Sequence, residues 1–466
     1  MNRTINTVAC LAAIGIIGSP SLHAQPCGQW ELVDTPNPGS VRNFFVDAEE
    51  TPTSVYALMF STDSPQVRPP GEYRVLKWEN DQWVEVGSIG NTQALGLEYN
   101  AITVAPDGTV WLGGLAFPRV IGRNPAPVVA SLSPDGTWSG PEEIEIPDTV
   151  VVPTTRRSAI IESIESAPDG TIFASGLAQG FGGGQQGIDA SVPLFLSNDG
   201  SGWEEVGVFP GQDWPGGAGV GAGTFLYDMI AFAADDVWAV GRHGFNGTIS
   251  GGLILHWDGS TLDVERGGNV AGGQFLGRDL GGIDGNSPTS LRVAGENILP
   301  EAPFGTIGHF DGSGWVLQDT PYATSQFSAF ADMDHIVVAD DGTAWATTVF
   351  AGSQTPYYDG QSWQLEPFSP ISSVRVQAMA EAGDGTLWAF GDRFNDQTTF
   401  ALRLVCDTAP SCPADFNDDG SLNFFDISDF ISAFNSGDLS ADFDGDGNLN
   451  FFDVSAFLAA FSAGCP

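Results

Sequence analysis

The sequence predicts an all-β seven-bladed β-propeller followed by a small all-α tail, and three observations carry that expectation. A short Asp-Gly phrase recurs through residues 27–406. A second phrase, led by Trp, alternates with it. The last stretch, residues 412–466, is internally duplicated. Units of about 40–60 residues with four strands each are the signature of blades stacked around an axis.

In chain order, residues 1–24 read as a signal peptide. Arg3 gives the positive start, residues 8–18 a short apolar run, and Leu22-His23-Ala24 a cleavage site before Gln25. A secreted or cell-surface location is therefore expected. Cys27, Cys406, Cys412 and Cys465 remain after cleavage. An even count suits an oxidising compartment and allows three disulfide pairings.

The first phrase is APDGTVW ending at Trp111, APDGTIF at Phe173, ADDGTAW at Trp345 and AGDGTLW at Trp388, with a trimmed copy at Trp238. Asp-Gly between two apolar alternating runs signals a hairpin. The second phrase carries Trp83, Trp138, Trp203, Trp315 and Trp363, with Leu262 in one copy. Together they make antiparallel units of strands A to D, starting near residues 41, 98, 158, 225, 277, 333 and 374. The fifth unit is the weakest. The seventh lacks its D strand, and Cys27-Gly-Gln-Trp30 at the mature start supplies one. Closing the ring this way leaves no open sheet edge. Cys406 falls where other units carry their C–D turn, so a Cys27–Cys406 bridge is expected to replace the missing turn. These repeats resemble secreted bacterial seven-bladed propellers of the PDGTxW type, such as two-component-regulator-type repeats. The resemblance implies fold and leaves function open.

Short A–B and C–D turns put the long, variable connections on the other face, where binding usually resides. That face carries Arg119, Arg123, Arg156, Arg157, Arg393, Phe181, Trp214, His243 and Phe245. Trp214, Arg156, Arg157 and His243 are the candidate ligand rim, suited to stacking on a sugar ring and pairing with acidic groups. Enzyme signals are thin: there is no HExxH, GxSxG or P-loop. Paired carboxylates among 58 acidic residues leave a polysaccharide hydrolase or lyase as the alternative.

The tail follows a linker, residues 407–411. ADFNDDGSLNFFDISDFISAF and ADFDGDGNLNFFDVSAFLAAF are offset by 27 residues. Each holds a 12-residue loop with oxygen side chains at positions 1, 3, 5, 9 and 12 and Gly at 6. The first loop offers Asp415, Asn417, Asp419, Asn423 and Asp426, with the carbonyl of Ser421 at position 7. The second offers Asp442, Asp444, Asp446, Asn450 and Asp453, with the carbonyl of Asn448. Ca²⁺ takes six to eight oxygens, and one short loop with a Gly at its sharp turn supplies them. An apolar stripe follows each loop: Phe424, Ile427, Ile431, Phe434, then Phe451, Val454, Leu458, Phe461. This tail resembles a dockerin domain, with two F-hand Ca²⁺ loops and exiting helices. Its Cys412 and terminal Ala-Gly-Cys-Pro look like the GC type of planctomycete exported proteins. The resemblance implies two bound Ca²⁺ ions and a cohesin-like or surface-anchoring partner. Phe424-Phe425 and Phe451-Phe452 stand where cellulosomal dockerins place small polar contact residues. A Cys412–Cys465 bridge would clasp the module.

Charge bounds the partners. With 58 acidic and 16 basic residues the formal charge is −42. Such a chain repels nucleic-acid backbones and anionic lipid surfaces. No apolar run reaches the about 18 residues of a membrane span.

Overall fold

Each Asp-Gly-Thr phrase closes a tight hairpin. Asp107 accepts the Thr109 N–H at 2.8 Å, and Asp169 accepts that of Thr171 at 2.9 Å. Gly108 and Gly170 sit at φ 84° and 91°, which favours a residue without Cβ. The strands that these turns join build the ring.

The computed structural model describes residues 28–65, 70–91, 95–118, 125–145, 156–181, 188–206, 224–245, 248–266, 279–296, 306–318, 333–348, 354–367, 371, 374–393, 398–406, 414, 416, 422, 424–436, 441, 443 and 450–463. Its strands form seven four-stranded sheets. β1 (Gly28–Val33) precedes blade one, which is β2 (Arg42–Thr51), β3 (Ser54–Thr62), β4 (Gly71–Glu79) and β5 (Gln82–Asn91). Blade two is β6 (Leu95–Val104), β7 (Val110–Pro118), β8 (Ala126–Leu132) and β9 (Trp138–Glu143). Blade three is β10 (Arg156–Ser166), β11 (Ile172–Phe181), β12 (Ile188–Asn198) and β13 (Trp203–Glu205). Blade four is β14 (Phe225–Ala233), β15 (Asp236–Phe245), β16 (Thr248–Trp257) and β17 (Leu262–Arg266). Blade five is β18 (Asp279–Ser287), β19 (Ser290–Glu296), β20 (Thr306–Phe310) and β21 (Trp315–Gln318). Blade six is β22 (Met333–Val338), β23 (Ala344–Thr348), β24 (Gln354–Tyr358) and β25 (Trp363–Pro367). Blade seven is β26 (Val374–Glu381), β27 (Leu387–Arg393) and β28 (Thr399–Cys406), completed by β1 in the order β1-β28-β27-β26. The ring is closed by the first strand, as expected from the orphan Trp30.

The repeated aromatic on the second strand is blade core. Phe173, Trp238, Trp345 and Trp388 are nearly fully buried. Blade five departs here, because Arg292 pairs with Asp284 where the other second strands place an aromatic. Its guanidinium lies 4.0 Å from the Tyr358 ring of blade six. A cation over an aromatic face fills the gap between blades and accounts for the weak fifth repeat.

In the tail, α1 (Phe424–Ser436) and α2 (Phe451–Ala463) follow the two loops. Phe430 stacks on Phe457 with centroids 4.1 Å apart. Phe416 meets Phe430 edge-on at 5.5 Å, and Phe443 meets Phe457 at the same distance. The duplication is thus a duplication of packing. Half of the expected apolar stripe turns inward, with Ile427, Phe434, Val454 and Phe461 packed against this core. Phe424 and Phe451 are about three-quarters exposed, while Phe430 and Phe457 form the core. Residues 1–27, Trp214, and the side chains of Cys27, Cys406, Cys412 and Cys465 lie outside the described residues.

Candidate functional sites: an acidic channel and two carboxylate loops

The innermost strand of every blade carries an irregularity at one equivalent place. The register shifts between Phe45 and Asp47, Tyr99 and Ala101, Ile161 and Ser163, and Leu226 and Asp228. It shifts again between Leu280 and Gly282, Met333 and His335, and Val376 and Ala378. A bulge inserts one residue, bends the strand and re-aims the side chains after it. Beyond the bulges the strands line a cavity of about 320 Å³ bordered by Asp47, Glu49, Glu50, Glu165, Asp228 and Asp284. No Lys or Arg lines it.

Most of these carboxylates staple one blade to the next. Asp47 accepts the Ile102 N–H of blade two at 3.0 Å. Asp228 accepts that of Ile283 at 2.9 Å, and Asp284 that of Val338 at 2.6 Å. Glu50 accepts the Glu381 N–H at 3.0 Å across the closing seam, and Glu381 accepts that of Asp340 at 2.9 Å. Thr103 donates its hydroxyl to Glu49 at 2.9 Å. Between blades two and three, Asn100 donates to the Ile161 carbonyl at 2.9 Å. Ser163 approaches Asp228 at a long 3.5 Å between blades three and four. A side-chain contact therefore bridges every seam. Glu165 stands apart: among the described residues its carboxyl has no hydrogen-bond partner, and it lines the cavity.

Burial dominates the proton affinities. It pushes Asp47 and Asp284 up to about 6, Asp228 and Glu381 to about 7, and Glu50 to about 8. Glu49 rises well above the carboxylate range through burial and the neighbouring Glu50 charge. Glu165 rises likewise, through burial and then the charges of Glu49, Asp228, Asp47 and Glu50. His335 at the same cavity is pushed down to about 4 by burial, so it is neutral at pH 7 and offsets none of the acid. The channel carboxyls thus keep their protons to higher pH than free carboxylates do, Glu50 most of all among the values of about 6 to 8.

The second site is the tail. Asp426 and Asp453, at position 12 of their loops, are fully buried. Asp426 Oδ1 accepts the Phe416 N–H at 2.9 Å, and Asp453 Oδ1 accepts that of Phe443 at 2.9 Å. Asp453 Oδ2 also accepts the Asn450 N–H at 2.7 Å, which caps the start of α2. Each position-12 carboxylate thereby ties the end of its loop back to position 2.

The remaining expected residues fall as follows. Asp415, Asn417, Asp419, Ser421, Asn423, Asp442, Asp444, Asp446 and Asn448 lie outside the described residues. Arg156 and Arg157 open β10 opposite Phe181 and Gly180, and their side chains are not described. His243 belongs to β15 rather than to a loop; it is 8% exposed, and burial lowers its pKa. Cys406 pairs in register with Gly28, the first residue of the closing strand. Sequence reasoning missed the channel acids. Their one signal is that acids interrupt the apolar alternation of the first strand, as in VDAEE at 46–50 and IDG at 283–285.

No family profile matches the chain, and no curated protein matches it. Solved structures with similar chain paths do exist. One is titled "YCF48 bound to D1 peptide", with a TM-score of 0.47 and 12% identity over 84% of this chain and 98% of that one. A catalytically inactive virginiamycin B lyase from Staphylococcus aureus with quinupristin has a TM-score of 0.44 and 13% identity, covering 81% and 100%. The β-propeller domain of the trilobed protease from Pyrococcus furiosus has a TM-score of 0.45 and 10% identity, covering 78% and 93%. At these levels the likeness concerns propeller architecture and carries nothing about activity.

Proposed function

We propose that this is an exported propeller protein that binds a carbohydrate or protein ligand and is anchored to a cell-surface or extracellular assembly by a calcium-dependent, dockerin-like tail. One observation carries the reading. Residues 412–466 contain ten Asp and no Lys, Arg or His, and two of those Asp are fully buried. A buried carboxylate needs a proton, a partner charge or a metal ion. The segment holds no basic side chain of its own, so an ion from solution would supply the counter-charge. A donor set made only of oxygens favours Ca²⁺ over softer metals. Asp415, Asn417, Asp419, Asn423 and Asp426 with the Ser421 carbonyl would hold one ion. Asp442, Asp444, Asp446, Asn450 and Asp453 with the Asn448 carbonyl would hold the other. Phe424, Ile431, Phe451 and Leu458 are exposed at positions 27 residues apart, a duplicated apolar surface suited to a cohesin-like or other anchoring partner. Calorimetry of the chain with Ca²⁺ tests the reading: about two ions per chain support it, and no uptake contradicts it.

The export signal over 1–24 and the Cys27–Cys406 and Cys412–Cys465 bridges belong to the same proposal. A mature protein starting at Gln25 and non-reducing peptide maps joining those pairs support it. Cys27 joined to Cys412 or Cys465 contradicts it. The second reading, a polysaccharide hydrolase or lyase, is favoured by Glu165 in the channel, whose proton affinity burial raises in the direction a general acid needs. Turnover of acidic polysaccharides that Glu165→Gln abolishes supports that reading.

A further inference from the structure

A second pocket lies at the seam between blade one and the closing strand β1. It measures about 420 Å³, and Asp34, Thr35, Trp78, Asp81, Gln82 and Trp83 are among the residues lining it. That size falls in the range of small-molecule sites, about 300–1,000 Å³.

Trp78 and Trp83 are a cross-strand pair on the β4–β5 hairpin, with rings 5.2 Å apart. Every blade has an equivalent pair, and comparison shows what is special here. The others are Leu132 with Trp138, Asn198 with Trp203, Trp257 with Leu262, Phe310 with Trp315, Tyr358 with Trp363, and Leu404 with Trp30. Blade one alone places two Trp together. Its turn is also unlike the rest. Asn80 and Asp81 hold φ 50° and 63°, and they are the non-glycine residues with positive φ among the described residues. Blades two to six put Gly136, Gly200, Gly259, Gly312 and Gly360 at their corresponding turns. Blade one thus carries polar side chains where the fold is served more cheaply by glycine. Asp81 is oriented by Arg403, whose Nη1 donates to it at 2.8 Å. Asp34 and Gln82 are exposed, and their side chains have no hydrogen-bond partner among the described residues.

We infer that this pocket binds a neutral hexose unit of a saccharide, which packs on Trp78 and Trp83 and hydrogen-bonds to Asp34, Asp81 and Gln82. Sugars present an apolar C–H face that stacks on indole and a hydroxyl rim that suits carboxylate and amide groups. The two carboxylates and the chain's −42 charge select against uronic or sulfated sugars. None of the lining residues belongs to the tail, and the inference shares with the proposed function a carbohydrate ligand.

The test is calorimetric titration of the full chain, with Ca²⁺ present, by cellohexaose, mannohexaose and maltohexaose. Binding of at least one is expected, and Trp78→Ala should weaken it by about tenfold or more. Trp78 and Trp83 also pack on the Trp388 ring at 4.7 and 5.1 Å, so Trp78→Ala could harm folding. The exposed double change Asp34→Ala with Gln82→Ala avoids that and should weaken binding by a similar factor. No binding of any of the three at millimolar concentration overturns the inference. Binding that survives the double change overturns it too while leaving a carbohydrate ligand at the rim standing.

Discussion

The channel and the tail both crowd carboxylates, yet they handle the charge in opposite ways. In the channel, Asp47, Asp228 and Asp284 accept backbone N–H groups from the next blade, and burial raises their pKa values to about 6 to 7. In the tail, Asp426 and Asp453 are buried in a segment with ten Asp and no basic residue. Rings of strands can offer amide donors from two blades to one carboxylate. The tail's Asp426 and Asp453 also accept backbone N–H groups, but the side chains at positions 1, 3, 5 and 9 of each 12-residue loop carry further oxygens, the set that the proposed Ca²⁺ ions would need. On the proposed reading, the same side chain becomes an acid in one region and a metal ligand in the other.

Removing calcium should produce the largest effect. With a chelator, α1 and α2 should unfold, because the loop carboxylates then repel one another. All 13 Trp lie between residues 30 and 388, so Trp emission reports the propeller alone and should hold steady. Far-UV circular dichroism and fluorescence on one sample check this. Asp453→Ala comes next. It strips the acceptor from the Phe443 and Asn450 N–H groups and should cost the tail about 1–3 kcal/mol, read by thermal melting in excess Ca²⁺.

The propeller should respond to pH rather than to calcium. Its channel acids have folded pKa values of about 6 to 8, against about 4 in an unfolded chain. The folded state therefore binds more protons in that window. Their contribution to stability is fully present below about pH 4 and is lost as pH rises through about 8. The Trp-detected melting temperature should be higher at pH 5 than at pH 8. The smallest effect sharpens the contrast: Glu50→Gln should raise the melting temperature at pH 8 and change it little at pH 5. A melting temperature that climbs from pH 5 to pH 8 would contradict the account of the channel.

The ring was legible in the sequence because Asp-Gly turns and Trp-led strands recur with local spacing. Even the missing seventh strand could be found, since Trp30 is a lone member of a repeated class. The channel was not legible. Which acids meet there depends on the bulges at Asp47, Asp228 and their equivalents, and one residue of register moves a side chain to the other face. The two tail helices were legible as apolar stretches, but only half of each stripe turns inward. Phe424 and Phe430 look alike in composition, and tertiary packing alone decides that Phe430 goes inside.

The division of labour between acid and ligand is tested most directly by calcium calorimetry on the chain, paired with Asp415→Ala and Asp442→Ala. The account predicts about two ions per chain, uptake lost in the double variant, and Trp emission unchanged throughout. No uptake, a single ion, or a calcium-dependent shift in Trp emission would contradict it.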